Sequence, residues 1–411
     1  MLKVKSSFAK NTLMVMILNV SKIALPFLTL PYLTRVLSTD CYGTVAYVKA
    51  VMGYMQTLVD FGFLLSATKY VTMTKGDKEK IGYIVGDNIV AKLIIAFIGF
   101  IILLALIVFL PILRANALFT FLSYITVVLT IFLLDFLFRG IEKMEIITYR
   151  FLVMKSLSTI LTFVFVKNNS DILWIPILDI IGSILAVLLV MKQVKKENIK
   201  IKFSGIHKSI LLIKESFVYF FASVASTSFN VFNTIVMGIC LSTTDVAYWS
   251  ISIQILSAVQ ALLNPLSDAI YPEMIKSRSK KKLQKIIKLF APIILLGSII
   301  AFIFTPLGLY IVGGQKYLDA TPIFRILTPV ILFGFLATMY GWPVSGAIGR
   351  VKETTSTTVI SVCFQITVII IAILFNFITI YIVAIVRTLT EILLFLLRYF
   401  NFKKFSNEFL D

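Results

Sequence analysis

Charge is scarce in this chain, and that scarcity excludes most of what a protein of its length could be. Asp, Glu, Lys and Arg together make up 14% of the 411 residues, against roughly 25% in a soluble domain. Histidine occurs once, at His207 in a lysine-rich stretch, where it reads as an ordinary solvated side chain. Cysteine occurs three times, and Cys41, Cys240 and Cys363 lie far apart with no metal-ligand spacing. No metal centre or cofactor is expected from this inventory, and chemistry built on a His and acid cluster has almost nothing to work with. Acid is the scarcer sign, with 20 Asp and Glu against 39 Lys and Arg, a formal net charge of +19.

What fills the chain instead is hydrocarbon. Hydrophobic residues make up 59% of it, and they come in runs such as 93–110, 172–191, 286–312 and 359–380. About 20 apolar residues in a helix span some 30 Å of bilayer core. Spanning strands would show about ten alternating residues each, and no such alternation is present. Helices also satisfy every backbone N–H and C=O without water. The sequence therefore predicts an all-α integral membrane protein. Pro, Gly and charge clusters divide it into about twelve spans: 10–36, 43–69, 81–110, 117–139, 146–166, 172–191, 215–240, 246–270, 286–312, 322–347, 354–375 and 379–398. The run after the basic segment 1–10 is too long for a signal-peptide core and lacks a small-residue cleavage pattern, so it counts as the first span.

The basic residues sort the loops. Counting inward from a cytoplasmic N-terminus, 29 of the 39 Lys and Arg fall in or beside inward segments, seven of them in 192–214 and seven in 276–288. Only Arg35, Arg114, Lys167 and Lys316 fall at outward ones. That asymmetry predicts both termini in the cytoplasm by the positive-inside rule. It also accounts for the net charge without nucleic acid, because the lysines alternate with spans and face anionic lipid. Cys41 and Cys240 fall near outer ends, but nothing in their spacing calls for a disulfide.

Sliding the chain by 204 residues lays Leu37-Ser38-Thr39 on Leu241-Ser242-Thr243 and Gln56 on Gln260. Polar stripes coincide as well. On the first span Asn19, Lys22, Pro26 and Thr29 share one helical face, matched on the seventh by Ser223, Ser226, Asn230 and Asn233. On the second, Lys49, Gly53, Gln56 and Asp60 are matched on the eighth by Ile253, Ser257, Gln260 and Asn264. Arg139-Gly140 after the fourth span parallels Ser345-Gly346 after the tenth. Polar groups in lipid are costly, so such stripes face protein or a water-filled cavity. Interhelical bonding explains any one of them. Equivalent stripes in two halves point to two six-helix lobes, 1–200 and 201–411, around a central cavity of the alternating-access kind.

Charges inside spans are the sharpest signal, since each costs roughly 2.5–3.5 kcal/mol at a helix centre. Lys22, Lys92, Lys155 and Arg387 lie too deep to snorkel, whereas Lys49, Arg325, Arg139 and Arg150 lie near span ends, where snorkelling suffices. Three of the four deep bases are in the first half, which suggests a grip on an anionic group such as a phosphate. The sugar-path candidates are Asn19, Gln56, Ser226, Asn230, Asn233 and Gln260. Asp135 with Arg139 and Glu391 with Arg387 have the i, i+4 spacing of intrahelical pairs. Asp60, Asp87 and Asp179 lack such partners, and with Glu391 they are the candidates for carrying a coupled proton.

The run Leu30-Pro31-Tyr32-Leu33-Thr34-Arg35-Val36-Leu37 with Tyr42-Gly43 resembles the first external turn of the bacterial polysaccharide flippases, the Wzx-type family. So do Asp60-Phe61-Gly62-Phe63, Ser66-Ala67-Thr68-Lys69-Tyr70 and Gly140-Ile141-Glu142-Lys143-Met144, and the likeness covers nearly the whole chain. The resemblance implies a multidrug/oligosaccharidyl-lipid/polysaccharide exporter fold in the bacterial inner membrane. It further implies movement of an undecaprenyl-pyrophosphate-linked oligosaccharide (O-antigen, capsule or a related surface glycan) to the outer leaflet, with proton-coupled alternating access as the usual proposal. Lys22, Lys92, Lys155 and Arg387 would then hold the anionic head. Expected partners are that lipid-linked substrate, membrane lipid, and the polymerase and glycosyltransferases of the same pathway, with no nucleic acid. A drug or cation exporter of the same superfamily would favour acidic over basic cavity residues. A membrane glycan polymerase or transferase would need chemistry on outer loops, which here are about ten residues or fewer.

Overall fold

Short polar side chains, prolines and a few left-handed residues set the helix boundaries. A computed structural model describes residues 2–74 and 76–411, with the backbone alone at 2–9, 222, 225, 226, 228–230, 264 and 268. The first half runs α1 (Leu2–Val36), α2 (Thr39–Asp60), α3 (Phe63–Met73), α4 (Lys78–Phe109), α5 (Pro111–Ala115), α6 (Ala117–Leu129), α7 (Asp135–Gly140), α8 (Met144–Phe165) and α9 (Trp174–Lys196). The second runs α10 (Ile206–Cys240), α11 (Thr243–Ser277), α12 (Lys280–Ile303), α13 (Thr305–Gly313), α14 (Thr321–Leu327), α15 (Pro329–Met339), α16 (Trp342–Ala347), α17 (Val351–Leu374) and α18 (Ile380–Lys404). Among the described residues, eleven helical segments are long and apolar enough to cross a membrane. The seventh expected span, 215–240, lies in α10, whose apolar run is described only over Val231–Cys240. Bulky apolar side chains stand exposed along α4, α9 and α12, among them Phe97, Phe109, Leu188 and Leu296. Such a surface suits lipid and not water.

The repeat seen in the sequence is built into the helix ends. Ser38 caps α2, accepting the Cys41 N–H at 3.2 Å. Ser242, 204 residues on, caps α11 by accepting the Asp245 N–H at 3.1 Å. A serine at this position satisfies a backbone donor that the helix leaves open. The six-residue helices α7 and α16 also end alike. Lys143 N–H donates to Phe138 O at 2.8 Å across left-handed Glu142, and Arg350 N–H donates to Ser345 O at 2.7 Å across left-handed Gly349. This equivalence pairs Phe138 with Ser345, one residue out of register with the pairing of Arg139 and Ser345 expected from sequence. The left-handed residue fixes the helix end, and in the first half that residue is a glutamate, so aligning the glycines misplaces it.

The chain forms two compact units, Met1–Ile235 and Val236–Asp411. The second repeat starts with α10 at Ile206, yet most of α10 belongs to the first unit. The reason lies at the break between α2 and α3, where Phe61 (φ 42°) and Gly62 (φ 74°) are left-handed. A Cβ at Gly62 would stand 2.4 Å from Tyr219 Cβ, so only glycine admits α10 this closely. Phe61 stacks on Phe220 with ring centroids 4.4 Å apart. The Ser66 and Ser216 hydroxyls bond at 2.7 Å, and those of Thr57 and Thr227 at 3.0 Å.

The segment joining the halves is seated on α4. Gly82 and Gly86 leave a groove in which the linker backbone lies, and a Cβ there would meet Lys200 O at 2.1 Å and Lys202 O at 1.9 Å. Lys202 N–H donates to Gly82 O at 3.1 Å, and Ser204 N–H to Asp87 Oδ1 at 2.8 Å. Beside it, Lys143 is ion-paired with Glu197 just beyond the end of α9. The Lys143 hydrogen bond and charge hold the Glu197 carboxyl below the usual glutamate range.

Gly86→Ala should lower the melting temperature of the solubilised protein by several degrees, because the linker backbone cannot yield to overpacking. Gly297→Ala, inside α12 with nothing within 4 Å, should not lower it and should raise it slightly. The Lys143–Glu197 pair should contribute fully above about pH 4.3, the ordinary glutamate value, and fade as pH falls through the depressed native one. Melts from neutral pH downward should show an acid-side loss that Glu197→Gln removes.

Candidate functional site

Asp60 ends α2, where the helix dipole opposes a negative charge. It therefore needs local donors, and two are supplied. Lys92 Nζ on α4 donates to Oδ1 at 2.9 Å, and Gln56 Nε2, one turn back on α2, donates to Oδ2 at 2.9 Å. Gln56 Nε2 also lies 2.9 Å from Thr130 Oγ1, at the turn where α6 tightens before left-handed Leu134. Lys92, an expected head-group ligand, is thus joined to Asp60, an expected proton carrier, through Gln56 to the sugar-path set.

A second pair bridges α8 and α9. Lys155 Nζ donates to Asp179 Oδ1 at 2.9 Å, and Ser158 Oγ, nearly one turn along α8, donates to the same oxygen at 2.8 Å. Lys49 on α2 lies in the field of this pair. A third pair differs from the intrahelical one expected. Asp135 does not take Arg139, four residues on, but Arg150 on α8, whose side chain is only 4% exposed. The left-handed Leu134 starts α7 at Asp135, and this carboxylate sits where α8 passes. Buried Arg150 is accordingly held by an ion pair, where snorkelling had been expected.

These three pairs leave cations over. Lys22, Lys49 and Arg139 make no ion pair with another described residue, and Lys22 lies in the field of Asp135, Arg139, Arg150 and Asp60. Asn19, one turn before Lys22 on α1, is exposed, while Asn233 on α10 is buried. Ser226 and Asn230 lie outside the described residues, as far as their side chains go. Asp87 stands apart from this network, because it is buried and accepts the linker N–H of Ser204.

In the second unit Arg387 Nη1 donates to Glu391 Oε2 at 2.6 Å, the pair expected from their spacing, with side chains 4% and 7% exposed. Gln260, the repeat partner of Gln56, converges with Glu391 over Gly334, where a Cβ would meet Gln260 Nε2 at 2.7 Å and Glu391 Oε1 at 3.2 Å. Each unit thus sets a glutamine of the equivalent helix beside a carboxylate held by a base. Arg398 belongs to the frame, donating to Ala337 O at 2.8 Å and to Thr358 Oγ1 at 3.1 Å.

The described residues thus form a multi-pass helical protein with interior ion pairs in each of two units, and comparison with known proteins identifies its fold and family. The structure matches the inward-facing conformation of a multidrug resistance MATE family transporter of the MOP superfamily with TM-score 0.69, at 13% identity, over 92% of this chain and 95% of that one. The fold is thus that of MATE transporters. Residues 8–278 match the family described as "Polysaccharide biosynthesis protein", and the chain belongs to that family. A "Putative O-antigen transporter" of Escherichia coli (strain K12) is 25% identical over 347 residues, 82% of this chain and 83% of that protein. One of the same description from Shigella dysenteriae is 26% identical over 269 residues, 65% of this chain and 67% of that protein.

Glu391→Gln removes the carboxylate that Arg387 Nη1 holds at 2.6 Å in a buried site, and should destabilise the second unit by about 3–5 kcal/mol. Replacing both, Arg387→Met with Glu391→Leu, should recover most of that. Unfolding of the solubilised variants measures the difference.

Proposed function

We propose that the protein is a flippase that carries an undecaprenyl-pyrophosphate-linked oligosaccharide of O-antigen type from the inner to the outer leaflet of the bacterial cell membrane by alternating access, with both termini in the cytoplasm. The observation that carries this reading is the cation surplus inside the first unit, where Lys22, Lys49 and Arg139 stand beside three already paired carboxylates. A pyrophosphate is the cargo that such a surplus solvates. The amides and hydroxyls of Asn19, Gln56, Ser226, Asn230, Asn233 and Gln260 serve the sugars, and the polyprenyl tail stays in lipid. The relatives described as O-antigen transporters and the basic loops support the same reading.

The pairing suggests how cargo and protons are exchanged. Lys92 and Lys155 are held by Asp60 and Asp179, so a pyrophosphate that takes either lysine displaces a carboxylate, which then accepts a proton. Glu391 and Arg387 repeat the arrangement in the second unit. Asp87, engaged by the linker, has no part in it. An organic-cation exporter would need free carboxylates in the interior, and Asp60, Asp135, Asp179 and Glu391 each hold a base. Partners of the same pathway are the glycosyltransferases that complete the unit and the polymerase that consumes it.

Lys22→Ala combined with Lys49→Ala should abolish display of surface glycan while protein level and melting temperature stay normal, because neither side chain holds a carboxylate directly. Arg387→Lys should retain export if charge alone matters. Deletion of the gene should trap complete lipid-linked repeat units in the inner leaflet. Unpolymerised units already exposed outside would refute flipping and point to a polymerase.

A further inference from the structure

A cavity of about 870 Å³ opens between α1, α8 and α9 of the first unit and meets the interior ion pairs only at Arg150. Its volume is that of a small-molecule site, which runs from roughly 300 to 1,000 Å³. Met14, Ile17, Leu152 and Leu189 make its walls. Lys192, Lys195 and Lys196 line it at the last turn of α9, at i, i+3 and i+4, so they share one helix face. None of the three is ion-paired with a described residue. Buried Arg150 also lines it; its Nη2 is held by Asp135, and its Nε has no hydrogen-bond partner among the described residues.

The other polar groups there are engaged. The Thr148 hydroxyl donates to Met14 O at 2.8 Å, Gln193 Nε2 to Glu197 Oε1 at 2.7 Å, and Lys10 Nζ to Glu145 Oε1 at 3.2 Å. A sugar head would find little beyond the Tyr149 hydroxyl to bond with. What remains is a cluster of ammonium groups above a hydrocarbon slot at the end of a span, which is the chemistry of a phosphate joined to an alkyl chain.

We propose that this cavity is a binding site for an anionic glycerophospholipid of the adjoining leaflet, with the phosphate on Lys192, Lys195 and Lys196 and one acyl chain between Met14, Ile17, Leu152 and Leu189. The occupant belongs to the bilayer and is not the transported cargo, because the site offers charge and hydrocarbon without the hydroxyl and amide set that an oligosaccharide requires.

The test is native mass spectrometry of the full chain taken from vesicles of phosphatidylethanolamine and phosphatidylglycerol. Wild-type protein should retain phosphatidylglycerol in preference. The triple variant Lys192→Gln, Lys195→Gln, Lys196→Gln should lose the preference, and so should Leu189→Trp, which fills the slot and leaves every lysine in place. Equal retention in the triple variant would overturn the phosphate site. Equal retention in Leu189→Trp would reduce the effect to diffuse surface charge and overturn the cavity. Added undecaprenyl phosphate should compete no better than phosphatidylglycerol, and displacement at much lower concentration would reassign the cavity to a polyprenyl lipid. Failure of export in the Lys22 and Lys49 variants bears on the flippase reading alone and leaves this test untouched.

Discussion

Hydrocarbon solvates neither charge nor backbone, and the rest of this structure follows from how the chain meets that constraint. Helices satisfy the backbone. Charged side chains are costly in a span unless they pair or line water. In the first unit Asp60, Asp135 and Asp179 each take a base from another helix, and in the second Glu391 takes Arg387 one turn away. The ion pairs therefore act as fasteners between α2 and α4, between α7 and α8, and between α8 and α9. They also make the same residues unavailable as free ligands until something displaces their partner.

That double role separates the interior charges into two kinds. Lys92, Lys155 and Arg387 are counter-ions first, and any anionic ligand would have to compete for them. Lys22, Lys49 and Arg139 add positive potential without an opposing contact in the described structure. The linker on α4 and the close seat of α10 against Gly62 brace the first unit without using these cations.

Much of this was legible beforehand. Helical spans, their approximate ends and the doubling of the chain all lie in the apolar runs and in the serines before Thr39 and Thr243. The Arg387–Glu391 pair was legible because both residues sit on one helix at i, i+4. Lys92 with Asp60, Lys155 with Asp179 and Arg150 with Asp135 were not, because each joins different helices and spacing along the chain carries no record of that. Asp135 misled for the same reason, having Arg139 at the right spacing but Arg150 at the right place. Asp87 looked like a spare carboxylate until the linker backbone was found on it, and nothing in 200–204 advertises such a contact.

The sequence by itself determined that this is a helical membrane protein, and it pointed to a repeat of about 204 residues with three of the four deepest bases in the first half. Those properties depend on composition and on periodicity along one helix at a time, and both are local. Tertiary structure alone decided which cation is spent on which carboxylate, that α10 lies mostly with the first unit, and that three lysines at the end of α9 overlook an apolar slot. Each of these depends on distances between helices far apart in the chain, set by the close approaches at Gly62, Gly82 and Gly86 and by left-handed turns that composition does not reveal.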